Sequence, residues 1–197
     1  MTAQNMEEIS YKRKKYRMAA GPFNAYLKKH GIQTVSWSTA NWRGYHGEWK
    51  IKNGRLYLAA ISASIPKKTS KGGHSLQSGD DRLSVGLDYF FPNQKEVFAE
   101  WFSGQIRIPT GKMLAYIHMG YESIYEKDLI IEFKDGIKVS EKEIDNHDEY
   151  SRLVKSYGLD VPSDTVDRPT DLSFYAAMSR LMAFAENNKE ENPKESE

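Results

Sequence analysis

Cysteine is absent from all 197 residues. That excludes disulfides, thiol nucleophiles and Cys-based zinc or iron–sulfur sites, and it fits a reducing cytoplasm. No apolar run approaches the length needed to cross a membrane. The leading segment MTAQNMEEISYKRKK lacks an apolar stretch after its basic residues, so it does not read as a secretory signal. Also missing are GxxxxGKS/T, GxGxxG, HExxH, an EF-hand loop and GxSxG. These absences argue against nucleotide-loop, zincin and nucleophile-elbow chemistry. No cofactor or metal is implied, and the expected location is cytoplasmic, away from membranes.

Hydrophobic residues make up 39% of the chain and aromatics 12%, enough to build a core and too many for a disordered protein. The length suits one domain. Net charge is +1, but it is unevenly spread. Residues 1–80 carry 14 Lys/Arg against 4 Asp/Glu, and residues 81–197 carry 14 against 23. Such asymmetry points either to an anionic partner or to two halves that neutralise each other on folding.

Patterning predicts an α+β fold. An antiparallel meander of β-hairpins over about 32–140 is expected to pack against C-terminal helices, behind a short N-terminal helical region. The whole is read as one domain, 1–187: a basic helical region 1–31, a β-rich core 32–140 and a helical part 141–187. A charged tail, 188–197, is expected to be disordered. Pro22 suits a first helical turn, Phe23, Tyr26 and Leu27 give a helical stripe, and Gly31 lies past its end.

Three segments share one plan around a glycine: GEWKIKNGRLYL, GQIRIPTGKMLAYI and LIIEFKDGIKV. Each reads as a hairpin. An Asn53-Gly54 loop places Ile51 opposite Leu56 and Trp49 opposite Leu58. A Thr110-Gly111 loop places Ile108 opposite Met113 and Ile106 opposite Ala115. A three-residue loop, Lys134-Asp135-Gly136, places Phe133 opposite Ile137, Ile131 opposite Val139 and Glu132 beside Lys138. Residues 62–82 read as a long loop and 82–91 as a further strand. DEYSRLVKSYG reads as a short helix. TDLSFYAAMSRLMAFAENN is the longest expected helix, N-capped by Thr170 or Asp171 and packed on the sheet.

Three clusters invite a functional reading. Trp42, Arg43, Tyr45 and His46 gather at the entrance of the first hairpin, and Tyr121 and Tyr125 sit in HMGYESIYEKD; these residue types favour a partner-binding face. Sheet-end capping is the competing role for Trp42 and Tyr45. His118 and Glu122 offer a general acid–base pair for a hydrolase or metal-dependent enzyme; a wide turn tied by tyrosine hydroxyls and carboxylates is the competing explanation. Lys12, Arg13, Lys14, Lys15 and Arg17, reinforced by Lys67, Lys68 and Lys71, offer phosphate contacts to nucleic acid; the alternative is a solvated helix face.

At WRGYHGEWKIKNGRLYL and AEWFSGQIRIPTGKMLAYIHMGYESIYEKDLIIEF the chain resembles a group of uncharacterised bacterial hypothetical proteins, over roughly residues 36–137. The resemblance implies no activity, cofactor or catalytic residue. The leading expectation is therefore a non-enzymatic soluble binding protein that recognises another macromolecule, such as an inhibitor, immunity protein or adaptor of a bacterial or phage conflict system. Another protein is the expected partner. Nucleic-acid binding and hydrolysis are the alternatives.

Overall fold

Alternation decides the N-terminus. Glu7, Ile9 and Tyr11 are buried while Glu8 is exposed, a period of two that places one face of the segment inward. β1 (Glu7–Tyr11) and β2 (Lys14–Met18) form a hairpin. Its two-residue turn is Lys12-Arg13, both at positive φ, 47° and 65°. The helical region expected at residues 1–31 is thus corrected for the basic segment: YKRKKYR runs through a hairpin turn. Only α1 (Phe23–Lys29) is helical there, with Pro22 at its N-cap.

The computed structural model describes residues 2–67, 82–156 and 170–172. Strand accounts for 52% of them and helix for 15%, which overturns the α+β expectation in favour of a mostly β fold. The remaining elements are β3 (Tyr45–Lys52), β4 (Arg55–Pro66), β5 (Arg82–Val85), α2 (Leu87–Phe90), β6 (Val97–Phe98), β7 (Gly104–Tyr116), β8 (Ile124–Lys134), β9 (Ile137–Asp145), α3 (His147–Ser156) and β10 (Thr170–Asp171). The sheet order is β10-β7-β8-β9-β4-β3-β1-β2, with β5 and β6 added on β4. The sheet curls into a half-barrel. It is not a simple meander, because β1 runs parallel to β3, with Ile9 beside Trp49.

The first hairpin has the expected pairs, Ile51 with Leu56 and Trp49 with Leu58, around Asn53-Gly54 at positive φ. The second expected hairpin does not exist. β7 runs straight through Thr110-Gly111 and pairs with β8, Ile108 with Leu129 and Ile106 with Ile131. Gly111, at φ 79°, belongs to a bulge, and the Lys112 N–H there donates to Glu126 Oε2 at 3.0 Å. The real turn is HMGYES, residues 118–123. The third hairpin turns on two residues, Asp135-Gly136, so Phe133 meets Lys138, and a bulge at Glu132 then shifts the register to Glu132 with Ser140. The expected Glu132–Lys138 pair is replaced by Ser140 Oγ donating to Glu132 at 3.0 Å. Ile137 and Val139, expected in an apolar face, are exposed because β9 leaves β4 after a single pair, Arg55 with Ile137.

β4 extends to Pro66, absorbing the start of the expected 62–82 loop. Of 82–91, only Arg82–Val85 is strand, and Leu87–Phe90 is a helical turn. Thr170 and Asp171, expected as helix N-cap candidates, are strand residues beside Ala115 and Tyr116. The rest of the expected 170–187 helix and the 188–197 tail lie outside the described residues. α3 buries no residue fully. Among the described residues the main core is not covered by a C-terminal helix: Ile9, Tyr45, Trp49, Leu58, Ile106 and Ile131 pack together, and Phe23 of α1 packs edge-on against Tyr45 at 5.6 Å. A smaller cluster, Ala115, Ile117, Ile124 and Leu172, with Tyr150 and Leu153 of α3 against it, firms the far end of the β7–β8 arm.

Candidate functional site: a tyrosine-lined groove beside a buried carboxylate

Residues 2–5 are held on both sides before β1 begins. Gln4 N–H donates to Gly120 O at 2.8 Å, and Asn5 N–H to Ala40 O at 2.8 Å. Gln4 also receives the Trp42 N–H at 2.9 Å. The N-terminal segment thereby bridges the loop before β3 and the turn after β7.

Arg43 locks this arrangement. Its Nη1 donates to Ala20 O at 3.1 Å and to the Tyr121 hydroxyl, and its Nη2 donates to Asn5 O at 2.7 Å. Nη1 also lies 3.2 Å from Oε1 of Glu7, a fully buried carboxylate. The other oxygen, Oε2, accepts from Trp49 Nε1 at 2.5 Å. Burial pushes Glu7 up to about 7, against the opposing pull of Arg43 and the Trp49 bond. Burial likewise pushes Tyr121 up to about 12 and raises Tyr45, whose hydroxyl donates to Asn24 Oδ1 at 2.8 Å.

Outside this sealed network lies a cavity of about 400 Å³, lined among others by Met6, His46, Met113, Tyr116, Tyr121 and Tyr125. A second hollow of about 330 Å³ shares Met6, Arg17 and Tyr125 with it and extends between Lys15–Arg17 and Pro109–Gly111. Together they form one groove between the N-terminal hairpin and the β7–β8 arm. The arm is braced from below: Arg107 donates to Tyr121 O at 2.6 Å and Ser123 O at 2.8 Å, and its Nε pairs with Asp128 at 2.8 Å. Asn146 adds a bond to Asp128 Oδ2 at 3.0 Å.

The expected site residues divide accordingly. His46, Tyr121 and Tyr125 line the cavity together. Trp42 is 51% exposed on the adjoining loop. Tyr45 and Arg43 face inward: Tyr45 is fully buried in the core, which corrects its placement on a partner-binding face, and Arg43 is consumed in the network. His118 and Glu122 are exposed on the turn, and His118 Nδ1 lies 2.7 Å from the Tyr116 hydroxyl. The basic cluster is split. Lys12 pairs with Glu141 at 2.7 Å, Arg13 and Lys14 are exposed, and Lys15 and Arg17 border the groove. Lys67 is exposed, while Lys68 and Lys71 lie outside the described residues.

Sequence reasoning missed Glu7, Met6, Arg107 and Asp128. The signal for Glu7 was present in the alternation Glu7-Ile9-Tyr11, which puts a carboxylate on an otherwise apolar face. Among the described residues no group of three or more His, Asp or Glu is spaced to hold a metal ion, and no helix is long and apolar enough to cross a membrane. The groove presents tyrosine rings and hydroxyls, the thioethers of Met6 and Met113, His46, and the charges of Arg17 and Glu8. Comparison with protein-family models, curated proteins and solved structures finds no match.

Proposed function

We propose that this is a non-enzymatic binding protein of the cytoplasm that recognises another protein through the groove between the N-terminal hairpin and the β7–β8 arm. The observation that carries the reading is the convergence of Tyr116, Tyr121, Tyr125, Met6 and Met113 on one cavity, bordered by Arg17. Tyrosine and arginine are enriched at interface hot spots, and methionine adapts to irregular apolar surfaces. The contact of buried Glu7 with Arg43 and the ion pair of Asp128 with Arg107 hold the walls, so the surface is organised before a partner arrives. An inhibitor, immunity protein or adaptor of a conflict system is the setting this chemistry suits.

A photo-crosslinking residue placed at Tyr125 tests the reading in the native host. One stoichiometric protein adduct is expected there, and none from the same residue at Tyr89, which is exposed on α2. Equal capture at both positions, or none at either, would remove the proposal. Nucleic acid is a second reading, supported by Arg13, Lys14, Lys15 and Arg17 standing exposed along one strand and its turn. An affinity for oligonucleotides that fell steeply with salt would favour it.

A further inference from the structure

β2 ends the sheet on one side. It pairs with β1, and the backbone bond that ties its end to β7 is Ala19 N–H to Arg107 O at 2.8 Å. Along a strand, the N–H and C=O of alternate residues point to opposite edges. The Ala19 bond thus fixes Arg17 and Lys15 as the β2 residues whose backbone groups point toward β7. By the same alternation, Arg107 and Pro109 of β7 point back. Pro109 suits that position, because its missing N–H falls on the unpaired edge. Among the described residues no strand pairs with Lys15 or Arg17 on this side. The space they face is the hollow of about 330 Å³ walled by Pro109, Thr110 and Gly111.

Short, charged edges commonly serve only to prevent self-pairing. Here the edge faces a wall and opens into the tyrosine-lined cavity, so an incoming chain would be enclosed rather than laid on open surface. The alternation that aims the backbone sends the Lys15 and Arg17 side chains outward, while Tyr16 packs on the core and Met18 is buried. Neither cation forms a salt bridge among the described residues, and the acid nearest in register is Glu8, opposite Arg17.

We propose that this seam accepts an extended acidic segment of the partner protein as an added strand along β2. Its backbone would pair with Lys15 and Arg17, and its carboxylates would meet the two cations. The inference rests on the protein-binding reading above and names the partner's chemistry.

Panning a random peptide library against the full chain tests it. The expected winners carry acidic residues at alternating positions. Their affinity falls about tenfold or more on Lys15→Glu or Arg17→Glu, with the melting temperature held because both side chains are exposed. N-methylation at every second backbone nitrogen of a winning peptide abolishes binding, and at the intervening nitrogens leaves it intact. Winners without acids, indifference to charge reversal, or tolerance of N-methylation throughout would overturn strand addition. So would competition by oligothymidylate, or a dimer of this chain lost on Arg17→Glu, which assign the edge to nucleic acid or a second copy. A Tyr125 adduct obtained alongside any of these peptide failures leaves the binding reading standing, so the two proposals fail separately.

Discussion

Trp49 donates its indole N–H to Glu7 across the β1–β3 pair at 2.5 Å, with both side chains fully enclosed. A carboxylate in that setting is costly to ionise. Its ordinary value of 4.5 is raised to about 7 by burial. Between those values the folded chain keeps a proton that the unfolded chain has released. Stability therefore falls as pH rises from about 4.5 to about 7, by on the order of 3 kcal/mol from this group. Glu7→Gln should flatten that decline in urea unfolding across the window. A slope unchanged by the substitution would show that Glu7 is not its source. Glu141 works in the opposite window: hydrogen bonds from Lys12, Lys138 and Tyr11 hold it at about 2, so its contribution is lost only as pH falls below about 4.5.

Arg43 is the counter-charge, and its loss should depend on pH. Arg43→Met at pH 8 leaves Glu7 without its counter-charge, so that it must either stay ionised in the core or take up a proton, and frees the carbonyls of Ala20 and Asn5. Breaking a buried pair by removing one partner costs about 3–5 kcal/mol. At pH 5 the carboxyl is protonated, so the cost should be distinctly smaller, and smaller again at pH 8 in a Glu7→Gln background. Equal losses in all three measurements would mean that Arg43 acts only through its carbonyl contacts.

Gly47 makes room for this network. A Cβ there would stand 2.5 Å from Glu7 Oε2 and 2.6 Å from Trp49 Nε1, closer than atoms approach. Gly47→Ala should cost on the order of 3 kcal/mol, because both neighbours are enclosed and neither can retreat. A Cβ at Gly54, in the β3–β4 turn, would meet no described atom within 4 Å beyond its chain neighbours, leaving only the φ of +72°. Gly54→Ala should cost about 1 kcal/mol from backbone strain alone. Matching denaturation midpoints for the two variants would refute the steric account.

The contrast between hairpins shows what the sequence made legible. Asn53-Gly54 announces its turn, and the flanking apolar residues then fix the register pair by pair. Thr110-Gly111 carries the same local signal yet lies inside β7, because Ile106 and Ile108 find partners on β8 instead of folding back on Met113 and Ala115. A glycine that takes positive φ serves a bulge as well as a turn, and only the partner strand decides. The groove was half legible: His46, Tyr121 and Tyr125 were singled out, but Tyr45 was misplaced, although the alternation Tyr45-Gly47-Trp49-Ile51 puts it on the same inward face as Trp49. The Glu7–Arg43–Tyr121 network joins segments far apart in the chain, so composition and spacing carried no trace of it.

The turn at Lys12-Arg13 was illegible for a physical reason that can be tested. Both residues hold positive φ without glycine, asparagine or aspartate, the residues that tolerate it. Lys12 is tied in place by its bond to Glu141, whereas Arg13 is exposed and has no such tie among the described residues. Arg13→Gly should relieve about 1 kcal/mol of backbone strain, less the added entropy of glycine in the unfolded chain, for a net gain of a few tenths to 1 kcal/mol. Arg13→Val, β-branched and poorly suited to that region, should lose more than 1 kcal/mol. Urea midpoints for both variants decide the matter: a valine substitution as stable as glycine would mean that the hairpin does not turn at these two residues, and with it would go the strand alternation that points Lys15 and Arg17 at the seam.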